Sequence, residues 1–254
     1  MSAVINALFP RQYECTDPSL GIEYYVFDTV RMGGDYQFSV EKEGEPGKYI
    51  LNPDIFRMIS ERIPADRELI YVSMFGGNAH NALNLLEHPR PFEIIMPSQP
   101  DRYLEGRELI PYGYMQRIIG RLAAPYVLNM MTLREAVDQP VFHLESPPPC
   151  GDNDYILEHL EGYFRSQVET PKIAPRDLRY KLWKLHSELI RSASEPNDIR
   201  FVGSPVQSQD NEGFLVPECY GGDSTHAGPA YGDMALRHFE RMLNVQYAGW
   251  AWLY

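Results

Sequence analysis

Glu68-Leu69-Ile70-Tyr71-Val72-Ser73-Met74-Phe75 is a short apolar run, and Gly76-Gly77-Asn78-Ala79-His80-Asn81 follows it directly. A run of this length, rich in β-formers, reads as a buried strand. Its end in Gly-Gly-Asn places polar groups at the carboxyl edge of a sheet, where open α/β sheets build their sites. Three further segments have strand character: Ile22 to Phe27, Pro140 to Glu145 and Ile199 to Gly203. Between the four lie helical patterns. Asn52-Pro53-Asp54 opens one that runs to Ile63, with Ile55, Phe56, Ile59 and Ile63 on one face, an N-cap followed by proline in the first turn. Another runs from Pro175 to Ser194 with Leu178, Leu182, Leu185 and Leu189 at helical spacing, a core stripe. Strands alternating with helices, their apolar runs near-continuous, predict an α/β protein with a parallel sheet covered on both faces.

The remaining segments are read around this frame. Ser2 to Phe9 reads as a short helix stopped by Pro10, and Glu41 to Lys48 as a charged turn. Ala82 to Leu86 is predicted helical, as are Met115 to Leu122 and Leu133 to Val137. Pro97 to Glu108 reads as a loop, with Tyr103, Tyr112 and Tyr114 as pocket-lining candidates or as exposed loop residues. Ser146-Pro147-Pro148-Pro149 must stop the strand before it. Asp154 to Gln167 is read as helix. His80, His88, His143 and His186 form no ligand-spacing motif and are read as structural, so no metal is expected. The aromatic tail Gly249 to Tyr254 leaves two readings open, packing under the sheet or a homo-oligomer contact.

Near the end of the chain stands Gly221-Gly222-Asp223-Ser224-Thr225-His226-Ala227-Gly228-Pro229, just before a helical pattern from Met234 to Leu243. An acid and a histidine three residues apart can make a base and its orienter from one turn of chain. The bland alternative is a surface loop whose Asp223 or Ser224 caps a helix.

The order strand, Gly-Gly-Asn, then a late D-x-x-H before the last helix resembles the SGNH (GDSL-type) hydrolase family, from about Ile22 to the final helix. Gly76-Gly77-Asn78 resembles the family's third block and Asp223 to His226 its fifth. The resemblance implies a single domain, residues 1–254, with a three-layer α/β/α fold and a parallel flavodoxin-like sheet of strand order 2-1-3-4-5. It implies His226 as general base, Asp223 as its orienter, and Asn78 with Gly34 (or Gly33) as oxyanion donors. By the place of the preceding strand in that family fold, the Ser146-Pro147-Pro148-Pro149 run is expected on a pocket rim. The first block, G-D-S at the end of the first strand, is missing. Ser2 is then the one stand-in for the nucleophile, and an incomplete N-terminus is the favoured explanation. On that view the strands near 22 and 69 flank a gap.

The chain of 254 residues is 44% hydrophobic, enough for one globular domain with a full core. Its net charge of −12 argues against nucleic acid and anionic membrane as partners. No apolar run is long enough for a membrane span, and the N-terminus lacks a signal peptide. Cys15, Cys150 and Cys219 are widely spaced and odd in number, read as reduced thiols of a cytoplasmic protein. The leading functional expectation is a serine esterase or acetyl-hydrolase acting on a small-molecule or carbohydrate ester without a cofactor. Behind it stand a non-catalytic binding module that keeps the pocket, then a metal-dependent phosphoesterase.

Overall fold

The structure is a computed structural model. It describes residue 22 and residues 24–27, 37–63, 68–76 and 80–248, with the backbone alone at 82 and 244–248. Ser2, Gly33, Gly34 and Asn78 lie outside the described residues, as do the expected first helix and the aromatic tail.

The described chain begins with a hairpin that the sequence reading missed. β1 (Ser39–Glu41) and β2 (Tyr49–Leu51) pair antiparallel around the charged turn. α1 (Pro53–Arg62) follows, started as expected by Asn52, whose side chain accepts from the Asp54 amide at 3.0 Å. Ile55 and Ile59 are buried, but Phe56 is exposed, so the apolar stripe is narrower than expected. β3 (Tyr71–Ser73) lies inside the opening run, and α2 (Asn81–Asn84) comes after the Gly-Gly-Asn turn. Then β4 (Phe92–Ile94) and β5 (Glu108–Ile110) form a separate parallel pair, also unforeseen, which brackets the predicted loop.

α3 (Tyr112–Ala136) is one helix of 25 residues where two were expected. Pro125 sits in its interior. Proline forfeits one backbone bond there, but the buried face formed by Met115, Ile119, Ala123, Met130 and Leu133 continues through it. β6 (Val141–Leu144) follows. The segment read as helix from Asp154 to Gln167 is two short helices, α4 (Asn153–Glu158) and α5 (Gly162–Arg165). α6 (Arg176–Ser194), β7 (Ile199–Val202) and α7 (Pro229–Ala248) complete the chain.

The central sheet is parallel, in the order β3-β6-β7, with Val141 opposite both Tyr71 and Ile199. All four residues of β6 are buried. Phe142 and Leu144 pack with Leu236, Phe239 and Leu243 of α7, while Val141 packs with Ala123 and Met130 of α3 and Ile190 of α6. The sheet is therefore covered on both faces, as its near-continuous apolar runs demand. The described residues of the expected first strand are not strand. They still carry its alternation: Ile22, Tyr24 and Val26 pack on the α7-side core together with Ile70, Val72 and Met74. Among the described residues no named strand pairs with the free edge of β3, and none of their helices is long and apolar enough to cross a membrane.

Gly76, which opens the Gly-Gly-Asn turn, has φ +76°, and a Cβ there would lie 2.8 Å from the Tyr126 ring on α3. Only glycine meets both conditions. Gly76 is thus held against α3.

Candidate active site

The D-x-x-H loop hangs between the core of β6-β7 and α7. Tyr220 and Ala227 bridge across its base, and the Gly228 amide donates to the Cys219 carbonyl at 2.7 Å. The two strands of this pinch touch so closely that a Cβ on Gly221 would collide with the His226 carbonyl, and one on Gly228 would stand 2.5 Å from the Tyr220 carbonyl. From the other side, the Tyr155 hydroxyl of α4 accepts from the Gly222 amide at 2.9 Å. The Tyr155 ring stacks on His159 and leans on Tyr220.

Inside the loop the geometry is that of a base and its orienter. Asp223 Oδ2 lies 2.9 Å from His226 Nδ1. Its Oδ1 accepts from the Thr225 amide at 2.9 Å and the His226 amide at 2.7 Å. Burial pushes the Asp223 carboxyl up, but the bonds from the His226 ring and the two amides outweigh it and hold the group at about 2. His226 is raised in turn, first by its hydrogen bond to Asp223, with burial opposing.

Glu161, at the start of α5, settles which imidazole nitrogen carries the proton. It accepts from the Ser224 hydroxyl and, at 3.1 Å, from the Thr225 hydroxyl. Thr225 Oγ1 also lies 3.1 Å from His226 Nδ1. A hydroxyl has one proton, and Thr225 spends it on Glu161. Toward Nδ1 it can only accept, as Asp223 does. Both neighbours therefore call for Nδ1–H, and in the neutral ring the lone pair resides on Nε2, which is the tautomer a general base needs.

The dyad faces a cavity walled by Pro147, Pro148 and Pro149, Tyr155, Tyr220 and Arg179. The proline run lines it as the sequence suggested, but Ser146 does not. Ser146 lines a separate small cavity with His143 and His186. Tyr103, Tyr112 and Tyr114 are not among the lining residues; Tyr103 and Tyr114 are exposed, and Tyr112 packs on the core between α3 and α6. The aromatics of the cavity are Tyr155 and Tyr220, which the sequence reading did not single out. Arg179 was missed too, since a charge inside a core stripe reads as solvent-facing.

No other described side chain competes for the dyad's role. Burial pushes the Cys219 thiol up to about 11 and raises Cys150, so neither is an activated thiolate. The Ser224 and Thr225 hydroxyls are committed to Glu161. His143 and His186 are buried, and burial lowers them to about 3 and about 4, which keeps them neutral. His80 is buried and lowered likewise, while His88 closes a turn with Arg90.

Glu161, Asp223 and His226 each bring one possible metal-binding atom within 4.8 Å of the others. Both Glu161 oxygens, Asp223 Oδ2 and His226 Nδ1 are already engaged with Ser224, Thr225 or one another.

Of the residues expected to form the site, the structure joins Asp223 and His226. Asn78, Gly34 and Ser2 are outside the described residues. His80 and Asn81, at the start of α2, line the same cavity, so α2 and the D-x-x-H loop border one space. No known family model matches the chain, nor does any curated protein or solved structure.

Proposed function

We propose that the protein is a serine esterase or acetyl-hydrolase of SGNH type, with a three-layer α/β/α fold. The observation that carries this reading is the Asp223–His226 pair, bonded at 2.9 Å through Nδ1 in a loop at the carboxyl end of a parallel sheet. His226 Nε2 takes the proton of a serine hydroxyl as that oxygen attacks the ester carbonyl, and later activates the water that clears the acyl-enzyme. Asp223 holds the ring and stabilises the imidazolium. Asn78 and Gly34 are the oxyanion donors of this reading, and Ser2 is its nucleophile candidate.

A fluorophosphonate probe tests it directly. The protein should be labelled on one serine, which mass spectrometry of the digest identifies. Labelling and p-nitrophenyl acetate hydrolysis should both fall by about 10³ or more in His226→Ala. Hydrolysis that persists without His226 would defeat the assignment. Ligand binding with no labelling and no turnover would leave a non-catalytic binding module.

A further inference from the structure

Two of the cations on α6, Arg179 and Lys181, are each only 1% exposed. Lys181 has its acid, with Glu93 at 3.0 Å and equally buried. Arg179 has none: among the described residues no carboxylate lies within ion-pair distance of it. Its partners are all neutral. Nη1 donates to Asn153 Oδ1 at 2.8 Å and to the Ala174 carbonyl, and Nη2 donates to the Cys150 carbonyl at 2.9 Å. Nε is buried without an acceptor. Asp152 is near enough to favour the charge, but its Oδ1 is spent capping α4. Burial lowers the guanidinium to about 10, so it stays charged at neutral pH. A charge taken out of water without a counter-charge is strongly disfavoured, and neutral acceptors satisfy its N–H groups without cancelling it.

Arg179 is also part of the wall of the cavity that the dyad faces. Apart from the histidines, it is the one cationic side chain among the described residues there. Three of its five N–H donors are spent. The two that remain, on Nε and Nη2, belong to neighbouring nitrogens on one edge of the guanidinium, the edge that suits two oxygens of a carboxylate. Leu85, Ile156 and Leu215 supply apolar wall beside it. The cavity holds about 480 Å³ counting the part open to solvent.

We propose that this cavity binds a carboxylate and that Arg179 is its counter-charge. Resting on the hydrolase reading above, the substrate is then an ester that carries a free carboxylate. At long range the net charge of −12 repels anions, so binding rests on this one buried cation.

The test uses the full chain in thermal unfolding at fixed ionic strength, with propionate, its neutral isostere propionamide, and inorganic phosphate. Propionate should raise Tm and propionamide should not. The propionate response should survive in His226→Asn, vanish in Arg179→Gln and persist in part in Arg179→Lys. Equal responses to propionate and propionamide, a response that follows His226 instead of Arg179, or a larger response to phosphate would each overturn the proposal. Should Arg179→Gln fail to fold, Arg179→Lys and the comparison of wild type with His226→Asn decide on the same criteria. Turnover supplies a second readout. The kcat/KM for p-nitrophenyl hemisuccinate should exceed that for p-nitrophenyl butyrate by about tenfold or more, and Arg179→Gln should erase the preference. Propionate binding with no ester cleavage would sink the hydrolase reading alone. Cleavage of both esters at equal rates, with no propionate binding, would sink the Arg179 assignment alone.

Discussion

Asp223→Asn should separate the folding role of this residue from its chemical one. The amide oxygen can stand where Oδ1 stands and keep the bonds from the Thr225 and His226 amides, now at 2.9 and 2.7 Å. What changes is the atom facing Nδ1. An NH₂ donor replaces an acceptor, so the ring gains that bond only by giving up its Nδ1 proton. Nε2 then carries the hydrogen and cannot take another from a serine. Such a tautomer reversal costs on the order of 10³–10⁴ in kcat, or about 4–5.5 kcal/mol at 1.36 per decade. The stability cost is much smaller. All three bonds become neutral ones, and the Asp223 side chain is 34% exposed, so solvent screening holds the loss to about 1 kcal/mol. The assay pairs kcat on p-nitrophenyl acetate with urea unfolding and with ¹⁵N NMR of the imidazole, which reports the protonated nitrogen. A variant that keeps Nδ1–H and turns over within tenfold of wild type would refute the hydrogen-bond argument. A variant that loses activity only because it unfolds would refute the partition between the two roles.

The pH profile of kcat/KM should have an acid limb with its midpoint above the ordinary histidine value of about 6.5, because the base acts when neutral and Asp223 raises its pKa; a midpoint at or below that value contradicts the pairing. The same raised pKa adds stability that is full below about 6.5 and fades as pH climbs through the folded value, while Asp223 adds stability above 3.8 that is lost as pH falls toward about 2; urea titrations across both windows report each. Glu161→Gln should lower the His226 pKa, followed by NMR, and slow turnover several-fold, since it removes a negative charge and one of the two acceptors that serve Ser224 and Thr225. Glu93→Gln should destabilise the fold by roughly 3–5 kcal/mol by stranding Lys181, whereas Glu93→Met with Lys181→Met should recover most of that; a double-mutant cycle in urea with purely additive losses would contradict a coupled pair. Gly221→Ala should cost about 1–3 kcal/mol through contact with the His226 carbonyl, and Tm and activity should fall together.

The chain discloses its sheet and its dyad for physical reasons, and withholds other parts for equally physical ones. β6 is buried on both faces, so its sequence is a near-continuous apolar run broken only by His143, and β7 keeps Ile199 and Val202 buried although Arg200 is exposed. Asp223 and His226 are close in sequence, so their pairing needs only one turn of chain. The parallel pair β4-β5 is joined across a long loop by three-residue strands, too short for any period to show. Pro125 lies between the two helices expected here, but burial against the sheet and α6 keeps α3 whole. Arg179 and Lys181 sit among Leu178, Leu182 and Leu185. Only the tertiary contacts of Asn153, Cys150 and Glu93 reveal why cations are held there.

The pinched base of the D-x-x-H loop has a consequence for how the site breathes. The Thr225 and His226 amides end on one carboxylate, the Gly222 amide on Tyr155, and the Gly228 amide on the Cys219 carbonyl. None of these bonds belongs to the sheet. The loop can therefore detach as one small cooperative unit while β6 and β7 stay paired. Amide hydrogens at 222, 225, 226 and 228 would then exchange with solvent at one shared free energy, below that of the strands, and each opening would take base and orienter out of service together.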